Sequence, residues 1–362
     1  MSEHKKDVWN VILVTVFLFA FAIGCILKPA DAVSLSERRK LAQFPDISVK
    51  NIVSGKFAKG FEKYAVDQFP LRDKFLHINT SMNRKLFGRK DIDGSYVEKD
   101  AVYAMEYPMH TDSIDHAADI FHKITDAYVD EESHVYASVI PDKAKYLGED
   151  VLKMDYDAFG KEVQKALADM QYIDIYNTLT KEDYYRTDPH WRQEKIVSTA
   201  QKLAKAMGVE ISESYEQKEA PKLFYGSYAP RVPDLPGEKM YYLTNKILEE
   251  CEVYDGQNGR MMEMYDLSAA GGRDPYELYL GGPLSLVTIR NKEIHNGRKL
   301  VMFRDSFGSS IAPLLATGYE ETTLVDIRYL PSAMLGNKVD LTDCDVLFLY
   351  STSVLNHSET LK

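Results

Sequence analysis

The hydrophobic pattern beyond residue 100 predicts helices and strands in alternation. Apolar residues recur every three or four positions in some segments, which predicts helices, and form short runs in others, which predicts strands. The predicted helices cover residues 114–128, 156–170, 196–207 and 309–316, and the predicted strands cover residues 134–140, 172–176, 299–303, 322–327 and 346–350. Such alternation is typical of an α/β fold in which a mostly parallel sheet is covered by helices on both faces.

An almost unbroken apolar run occupies residues 11–27. Its length approaches the roughly 20 residues that cross a bilayer as a helix. Because Lys5 and Lys6 precede the run, we expect the N-terminus to stay inside the cell and the rest of the chain to be exported. Residues 1–30 are therefore predicted to form a cytoplasmic tip and one transmembrane signal anchor, which holds an extracytoplasmic domain at the cell membrane.

Two other fates of this segment remain open. Residues 30–32, Ala-Asp-Ala, match the small-residue pattern of a signal-peptidase site. The apolar run is, however, longer than the usual core of a cleaved signal peptide. Residues 22–25 resemble a lipoprotein site ending at Cys25, except for the residue three positions before the cysteine. The length of the run favours the uncleaved anchor.

Three regions follow from these patterns. Residues 31–99 form a predicted helical lead-in, because Phe57, Phe61 and Tyr64 fall at helical spacing and a second amphipathic stretch follows. Residues 100–362 form the predicted α/β domain. Within it, the Tyr-, Gly- and Pro-rich stretch at about 210–290 breaks the alternation and is predicted to be a β-rich or loop insertion that forms one wall of a cleft.

The composition narrows the possible partners. The chain has 362 residues, 45% of them hydrophobic, and a formal net charge of -11 at pH 7. This charge argues against nucleic acid and against anionic membrane surfaces as partners, because both attract basic proteins. Three cysteines are too few for a disulfide framework. Cys25 lies in the apolar run, and the sequence leaves open whether Cys251 and Cys344 pair.

Two separate segments carry candidate catalytic residues. Asp188 and His190 are two residues apart in Thr187–Trp191, so they would project from one face of an extended segment. Ser306 stands between a predicted strand and a predicted helix, where its side chain would be exposed at the carboxyl edge of the sheet. If the three side chains meet, His190 can accept the Ser306 proton while Asp188 orients the imidazole. Lys143 also follows a predicted strand and could face the same crevice.

Each of these residues also has an ordinary structural explanation. Asp before Pro is common in turns, and a Ser before a helix is a common N-cap. Tyr228 could stack on a sugar ring or pack at the edge of the core. Arg304 and Arg328 could contact a charged or hydroxylated ligand, or form structural ion pairs. No metal motif and no telling third ligand accompany Asp188 and His190, so neither a metal nor another cofactor is predicted.

The chain resembles the DHHW family, which is similar to the alginate O-acetyltransferases and belongs with the SGNH-hydrolase-like proteins. The resemblance runs from just after the apolar segment nearly to the C-terminus and depends on the order of many short motifs. They are Glu37-Arg38, Leu41, Phe44-Pro45, Phe57, Phe61-Glu62, Tyr64, Asp67-Gln68-Phe69-Pro70, Arg72-Asp73, Pro141-Asp142-Lys143, Thr187-Asp188-Pro189-His190-Trp191, Phe224, Gly226-Ser227-Tyr228, Leu280-Gly281-Gly282, Asp305-Ser306-Phe307 and Asp326-Ile327-Arg328-Tyr329.

The resemblance implies a three-layer α/β/α, flavodoxin-like fold and a Ser-His-Asp triad. It assigns Ser306 as nucleophile, His190 as base and Asp188 as the residue that orients the base. The motif Asp-His-His-Trp that names the family is altered here, because Pro189 replaces its first histidine. The residues needed for the triad are nevertheless present.

The predicted function is O-acetyl transfer to, or hydrolysis of acetyl esters on, a cell-surface polysaccharide through an acetyl-serine intermediate. The backbone N–H of Ser306, with one from Gly281 or Gly282, would bind the oxyanion. Because acetyl-CoA is cytoplasmic, a transferase would need a multi-pass membrane O-acyltransferase as its acetyl donor. A non-catalytic glycan-binding scaffold and a metal-dependent polysaccharide deacetylase remain the alternatives.

Overall fold

The computed structural model describes residues 3–34, 39–92 and 94–362. Glu37 and Arg38, which contribute to the family resemblance, lie outside the described residues. The chain divides into two compact units. One comprises Met1–Lys90 with Ala229–Pro236, and the other comprises Asp91–Tyr228 with Gly237–Lys362.

The first unit is mostly helical. Its α-helices are Glu3–Leu27, Val49–Val53, Lys56–Asp67 and Arg72–Ser81. The short antiparallel strands Val33–Ser34 and Arg39–Lys40 lie between the first two helices, and a π-helical turn at Met82–Leu86 follows the last. Two of these helices coincide with the amphipathic stretches predicted for the lead-in. No helix among the residues that the structure describes meets both the length and the hydropathy needed to span a membrane.

The second unit is built around an eight-stranded sheet. In spatial order its strands are Arg260–Met262, Glu252–Asp255, Leu286–Arg290, Glu321–Val325, Lys299–Arg304, Asp345–Ser351, His134–Ile140 and Gln171–Tyr172. The last five are parallel to one another, and the first three are joined to them by antiparallel pairing. The sheet is therefore mostly parallel, as predicted.

Helices cover both faces of this sheet, as expected for a three-layer α/β/α arrangement. Phe303 and Phe121 belong to one buried cluster, and Met302 and Ile311 belong to another, so consecutive residues of one strand face opposite layers. The helices over the first cluster are Thr111–Tyr128 and Tyr156–Ala166, and those over the second are Val197–Ala206 and Gly308–Ala316.

Shorter elements complete the second unit. They are the antiparallel strands Asp91–Ile92, Ser95–Glu98 and Ala101–Ala104, the strand pair Glu216–Glu219 and Tyr241–Thr244, and the one-turn helices Lys246–Glu249 and Thr352–Asn356.

The stretch at 210–290 differs from its prediction. It is β-rich, which was one of the two forms predicted, but it is not an insertion outside the sheet, because it contributes all three of the antiparallel strands. These strands are only three to five residues long. In Glu252–Asp255 buried and exposed residues alternate, which gives a weaker pattern than the continuous apolar runs of the parallel strands. The predicted strand 172–176 is also shorter, since only Gln171–Tyr172 pairs and Tyr176–Thr178 forms a helical turn.

Candidate active site

A tight turn places Ser306 between the strand Lys299–Arg304 and the helix Gly308–Ala316. The carboxylate of Asp305 holds this turn, because one oxygen accepts the N–H of Phe307 at 3.0 Å and the other accepts the N–H of Ser351 at 2.8 Å. A Cβ on Gly308 would lie 2.5 Å from the Cβ of Arg304, so only glycine lets the helix begin this close to the strand. Ser306 thereby lies at the carboxyl edge of the sheet.

A second loop carries Asp188 and His190 to the same edge. Lys143 holds this loop in place. Its Nζ donates hydrogen bonds to the carbonyl oxygens of Tyr185, Arg186 and Asp188 at 2.8, 3.0 and 2.9 Å. Three acceptors are the full capacity of an ammonium group. The loop conformation therefore depends on a buried lysine that follows the strand His134–Ile140.

Asp188, His190 and Ser306 form one continuous chain of hydrogen bonds. Asp188 Oδ1 lies 2.5 Å from His190 Nδ1, and His190 Nε2 lies 2.7 Å from Ser306 Oγ. The second oxygen of Asp188 accepts the N–H of Ser227 at 2.7 Å. A Cβ on Gly226 would lie 2.1 Å from the Thr187 carbonyl oxygen, so glycine is required for this close approach.

The electrostatics keep Asp188 ionised. Burial by itself raises the pKa of Asp188, but attraction to His190 and the hydrogen bonds from His190 and from the Ser227 N–H outweigh it and lower the pKa to about 2. An ionised Asp188 accepts a proton-bearing Nδ1, which leaves Nε2 as the acceptor for the Ser306 hydroxyl. This arrangement can activate a serine nucleophile.

Aromatic packing fixes the plane of the His190 ring. Tyr276 stacks on it with centroids 3.9 Å apart and an interplanar angle of 12°. The Tyr276 hydroxyl donates to Ser310 Oγ at 2.7 Å, and the indole N–H of Trp191 donates to the same oxygen at 2.8 Å. Trp191 is fully buried, so the residue that follows His190 anchors the loop to the helix that follows Ser306.

A cavity of about 200 Å³ opens beside Ser306 and His190. This volume is below the range of pockets for drug-sized ligands, so it suits a small ligand or one small group of a larger ligand. The other lining residues are Ala104, Glu106, Asp142, Lys143, Ala144, Pro189, Tyr228, Asp305, Phe307, Ser351, Ser353 and Val354. Of the candidate substrate-binding and oxyanion residues predicted from the sequence, Lys143 and Tyr228 line the cavity.

The two glycines that were predicted as oxyanion donors do not line this cavity. Gly281 and Gly282 both adopt left-handed backbone angles, with φ of 66° and 75°. The N–H of Gly282 donates to the Tyr279 carbonyl at 3.1 Å, so it is not available to an oxyanion. The prediction that Gly282 donates to the oxyanion therefore has no support in this structure.

The two predicted arginines also have structural partners. Arg304 is fully buried and donates to the carbonyl oxygens of Gly282 and Leu284, each at 3.2 Å. Arg328 binds both carboxylate oxygens of Asp326, at 2.9 and 2.7 Å. Arg304 Nη1 also lies 3.8 Å from Asp326 Oδ2, so both arginines have a structural ion-pair partner, and neither lines the cavity.

Several important residues were not found from the sequence. Tyr276 lies in the stretch predicted to be an insertion, and nothing in its local pattern indicates contact with His190. Glu106 lies at no predicted strand end. Asp142 precedes Lys143 directly after a strand, so the signal that selected the lysine applied to it as well. Burial, with the neighbouring charges of Glu106 and Asp305, raises the pKa of Asp142 to about 8.

Cys251 and Cys344, whose pairing the sequence left open, are both free thiols. Burial raises the pKa of each to about 11. Within residues 3–34, 39–92 and 94–362, no group of three or more His, Cys, Asp or Glu side chains is placed to hold a metal ion.

This chain is similar to known proteins in its structure, and no similarity was found at the level of sequence families. Neither a scan against protein-family models nor a search of curated proteins found a match. A DHHW family protein from Eubacterium siraeum is similar, with a TM-score of 0.60 and 20% identity over 75% of this chain and 95% of that chain. Bacillus cereus PatB1, solved with a sulfonyl adduct, has a TM-score of 0.56 and 19% identity over 72% of this chain and 95% of that chain. The O-acetyltransferase domain of Pseudomonas putida AlgJ has a TM-score of 0.43 and 12% identity over 74% and 93% of the two chains. The first two structures confirm the resemblance to the DHHW family at the level of the fold.

Proposed function

We propose that this protein is a serine O-acetyltransferase or acetylesterase that acts on a cell-surface polysaccharide. The observation that carries the proposal is the chain of hydrogen bonds from Asp188 through His190 to Ser306, at the mouth of a cavity. Acid, base and nucleophile in this order are the requirement for covalent catalysis of acyl transfer. The fold supplies the setting, because ligands of such sheets bind at the carboxyl ends of the strands.

In the first step Ser306 Oγ attacks the acetyl carbonyl carbon while His190 Nε2 accepts the hydroxyl proton. The resulting imidazolium is stabilised by the ionised Asp188. The tetrahedral intermediate collapses when His190 returns the proton to the departing alcohol oxygen, which leaves acetyl-Ser306. The N–H of Ser306, at the start of the turn into the following helix, is the proposed oxyanion donor. Loss of one such donor typically raises the barrier by ~3 kcal/mol.

In the second step an acceptor hydroxyl attacks acetyl-Ser306. His190 accepts the proton of that hydroxyl and returns it to Ser306 Oγ as the serine–acetyl bond breaks. A sugar hydroxyl as acceptor completes a transfer, and water completes a hydrolysis. The two outcomes differ only in how well the acceptor displaces water from the cavity. Neither step requires a cofactor.

The proposed location is outside the cytoplasm, with residues 1–30 as a single membrane anchor. The support is the apolar run at residues 11–27 and the lysines before it. Since acetyl-CoA is cytoplasmic, the proposed source of the acetyl group is a multi-pass membrane O-acyltransferase that acts as a partner.

The test uses a sulfonyl fluoride and an acetyl ester on the full-length chain. A sulfonyl adduct occurs in the similar PatB1 structure. We expect phenylmethylsulfonyl fluoride to add one sulfonyl group to Ser306, and p-nitrophenyl acetate to form an acetyl adduct there, both detected by intact mass and peptide mapping. Ser306→Ala should form neither adduct.

Ser353→Ala is the matched control, because Ser353 also lines the cavity but lies outside the hydrogen-bonded chain. This variant should still be modified at Ser306. Both reactions should be insensitive to EDTA. A folded protein that forms no adduct would contradict the proposal and favour a glycan-binding scaffold. Activity lost to EDTA but kept by Ser306→Ala would favour a metal-dependent deacetylase.

A further inference from the structure

The wall of the cavity that holds Ser306 is acidic. Three carboxyl-bearing residues line it, Glu106, Asp142 and Asp305. Lys143 is the only lysine or arginine among its lining residues, and its Nζ is already directed at three backbone carbonyl oxygens. A negatively charged ligand would therefore find carboxylates here and no cation with an unused donor.

Glu106 is held in a fixed position at this wall. One of its carboxylate oxygens accepts the hydroxyl of Ser353 at 2.9 Å, and the other lies 3.4 Å from the amide nitrogen of Asn356 and 3.2 Å from His357 Nε2. The Glu106 side chain is 12% exposed. Because each carboxylate oxygen has two lone pairs, the oxygen bonded only to Ser353 can accept one further hydrogen bond. A sugar hydroxyl is a suitable donor for it.

The raised pKa of Asp142 reflects its burial and the negative charge around this cavity. Burial raises its pKa most, and the negative charges of Glu106 and Asp305 raise it further. The same charges that oppose ionisation of Asp142 would oppose a carboxylate brought in by a ligand, since like charges repel more strongly where water is partly excluded.

We infer that the sugar ring entering this cavity is uncharged, with Glu106 accepting one of its hydroxyls. This inference depends on the function proposed above and specifies its acceptor class. A uronate ring would place its carboxylate against Glu106 and Asp305, and recognition of such a ring normally uses an arginine or lysine as partner. The acceptor polysaccharide is therefore one that offers neutral hexose or N-acetylhexosamine rings.

The test measures binding separately from chemistry. Ser306→Ala, made in the full-length chain, is titrated calorimetrically with neutral β-1,4-glucan and N-acetylchitooligosaccharide hexamers and with oligomannuronate of the same length. We expect at least about tenfold tighter binding of one neutral oligomer, because like-charge contacts at an interface disfavour a partner by more than this. Equal or tighter binding of the uronate, or no measurable binding of either neutral oligomer, would overturn the inference.

Variants then assign the discrimination to the cavity wall. Glu106→Gln, in the Ser306→Ala background, should reduce the preference for the neutral oligomer by severalfold, mainly through tighter binding of the uronate. Glu359→Gln is the matched control, because it removes an exposed carboxylate that does not line the cavity. An equal effect of the two substitutions would show that overall charge, and not this wall, sets the preference.

Failure of this inference is distinguishable from failure of the proposed function. The proposed function is read from the adducts at Ser306 in the wild-type chain, and the inference is read from binding to a chain that lacks this serine. Adduct formation together with a uronate preference would retain the enzyme and replace its acceptor class.

Discussion

Replacement of Tyr276 tests whether the stacked ring assists the base. The centroid separation of 3.9 Å and the angle of 12° place the tyrosine face directly over the His190 ring. An imidazolium formed during the reaction would then be stabilised by a cation–π contact of about 1–2 kcal/mol in a partly desolvated site. Tyr276→Leu removes this contact, so we expect kcat/KM for p-nitrophenyl acetate to fall about 5- to 30-fold.

A conservative variant separates the ring from its hydroxyl. Tyr276→Phe keeps the stacked ring and loses only the hydrogen bonds of the hydroxyl, to Ser310 Oγ and to the Trp191 carbonyl. Its kcat/KM for p-nitrophenyl acetate should therefore stay within about twofold of the wild-type value.

Stability measurements separate this effect from simple damage to the fold. Tyr276→Phe should lower the free energy of unfolding by about 1 kcal/mol, the usual contribution of one buried hydrogen bond. Tyr279→Leu is the matched control, since Tyr279 is equally buried and packs on Tyr276 but is not stacked on His190. A wild-type kcat/KM in folded Tyr276→Leu, or an equal loss of kcat/KM in Tyr279→Leu, would refute the reasoning.

Three further variants test other parts of the site. Asp188→Asn should lower kcat by about 10³- to 10⁴-fold because the histidine loses its orientation, and an activity near wild type in a steady-state assay would contradict the triad. Lys143→Met should lower the free energy of unfolding in urea by about 2–4 kcal/mol, because three carbonyl oxygens lose their donor, and no loss would show that water replaces it. Asp142 has a raised pKa, so its protonated form favours the fold below about pH 4 and that contribution is lost as the pH rises through about 8. In Asp142→Asn the free energy of unfolding should fall less between pH 5 and pH 8 than in the wild type, and parallel pH profiles would contradict the assignment.

Elements with strong local patterns were predictable from the sequence. The strand His134–Ile140 has the predicted bounds, and the helix Gly308–Ala316 differs from its prediction by one residue. Continuous apolar runs mark strands that are buried on both faces, and such runs need no tertiary information to be recognised. The antiparallel strands at Glu252–Asp255 and Leu286–Arg290 were not located from the sequence, because strands of four and five residues resemble loops until their pairing is known.

The candidate triad was accessible for a related reason. The carboxyl ends of parallel strands share one edge, so Ser306 and the loop of Asp188 and His190 could be assigned to the same crevice before their distances were known. Their approach to 2.5 and 2.7 Å depends on contacts between segments far apart in sequence, such as Lys143 beneath the loop.

The amino-acid sequence was enough to predict the α/β class, the parallel core of the sheet and the three candidate triad residues, because each depends on local periodicity or on chain direction. The neighbours of these residues depend on packing. The stacking of Tyr276, the acidic wall at Glu106 and the burial of Arg304 arise between segments that no local pattern connects. A side chain has the same identity in the sequence whether it faces a ligand or a buried carbonyl, and only packing distinguishes the two.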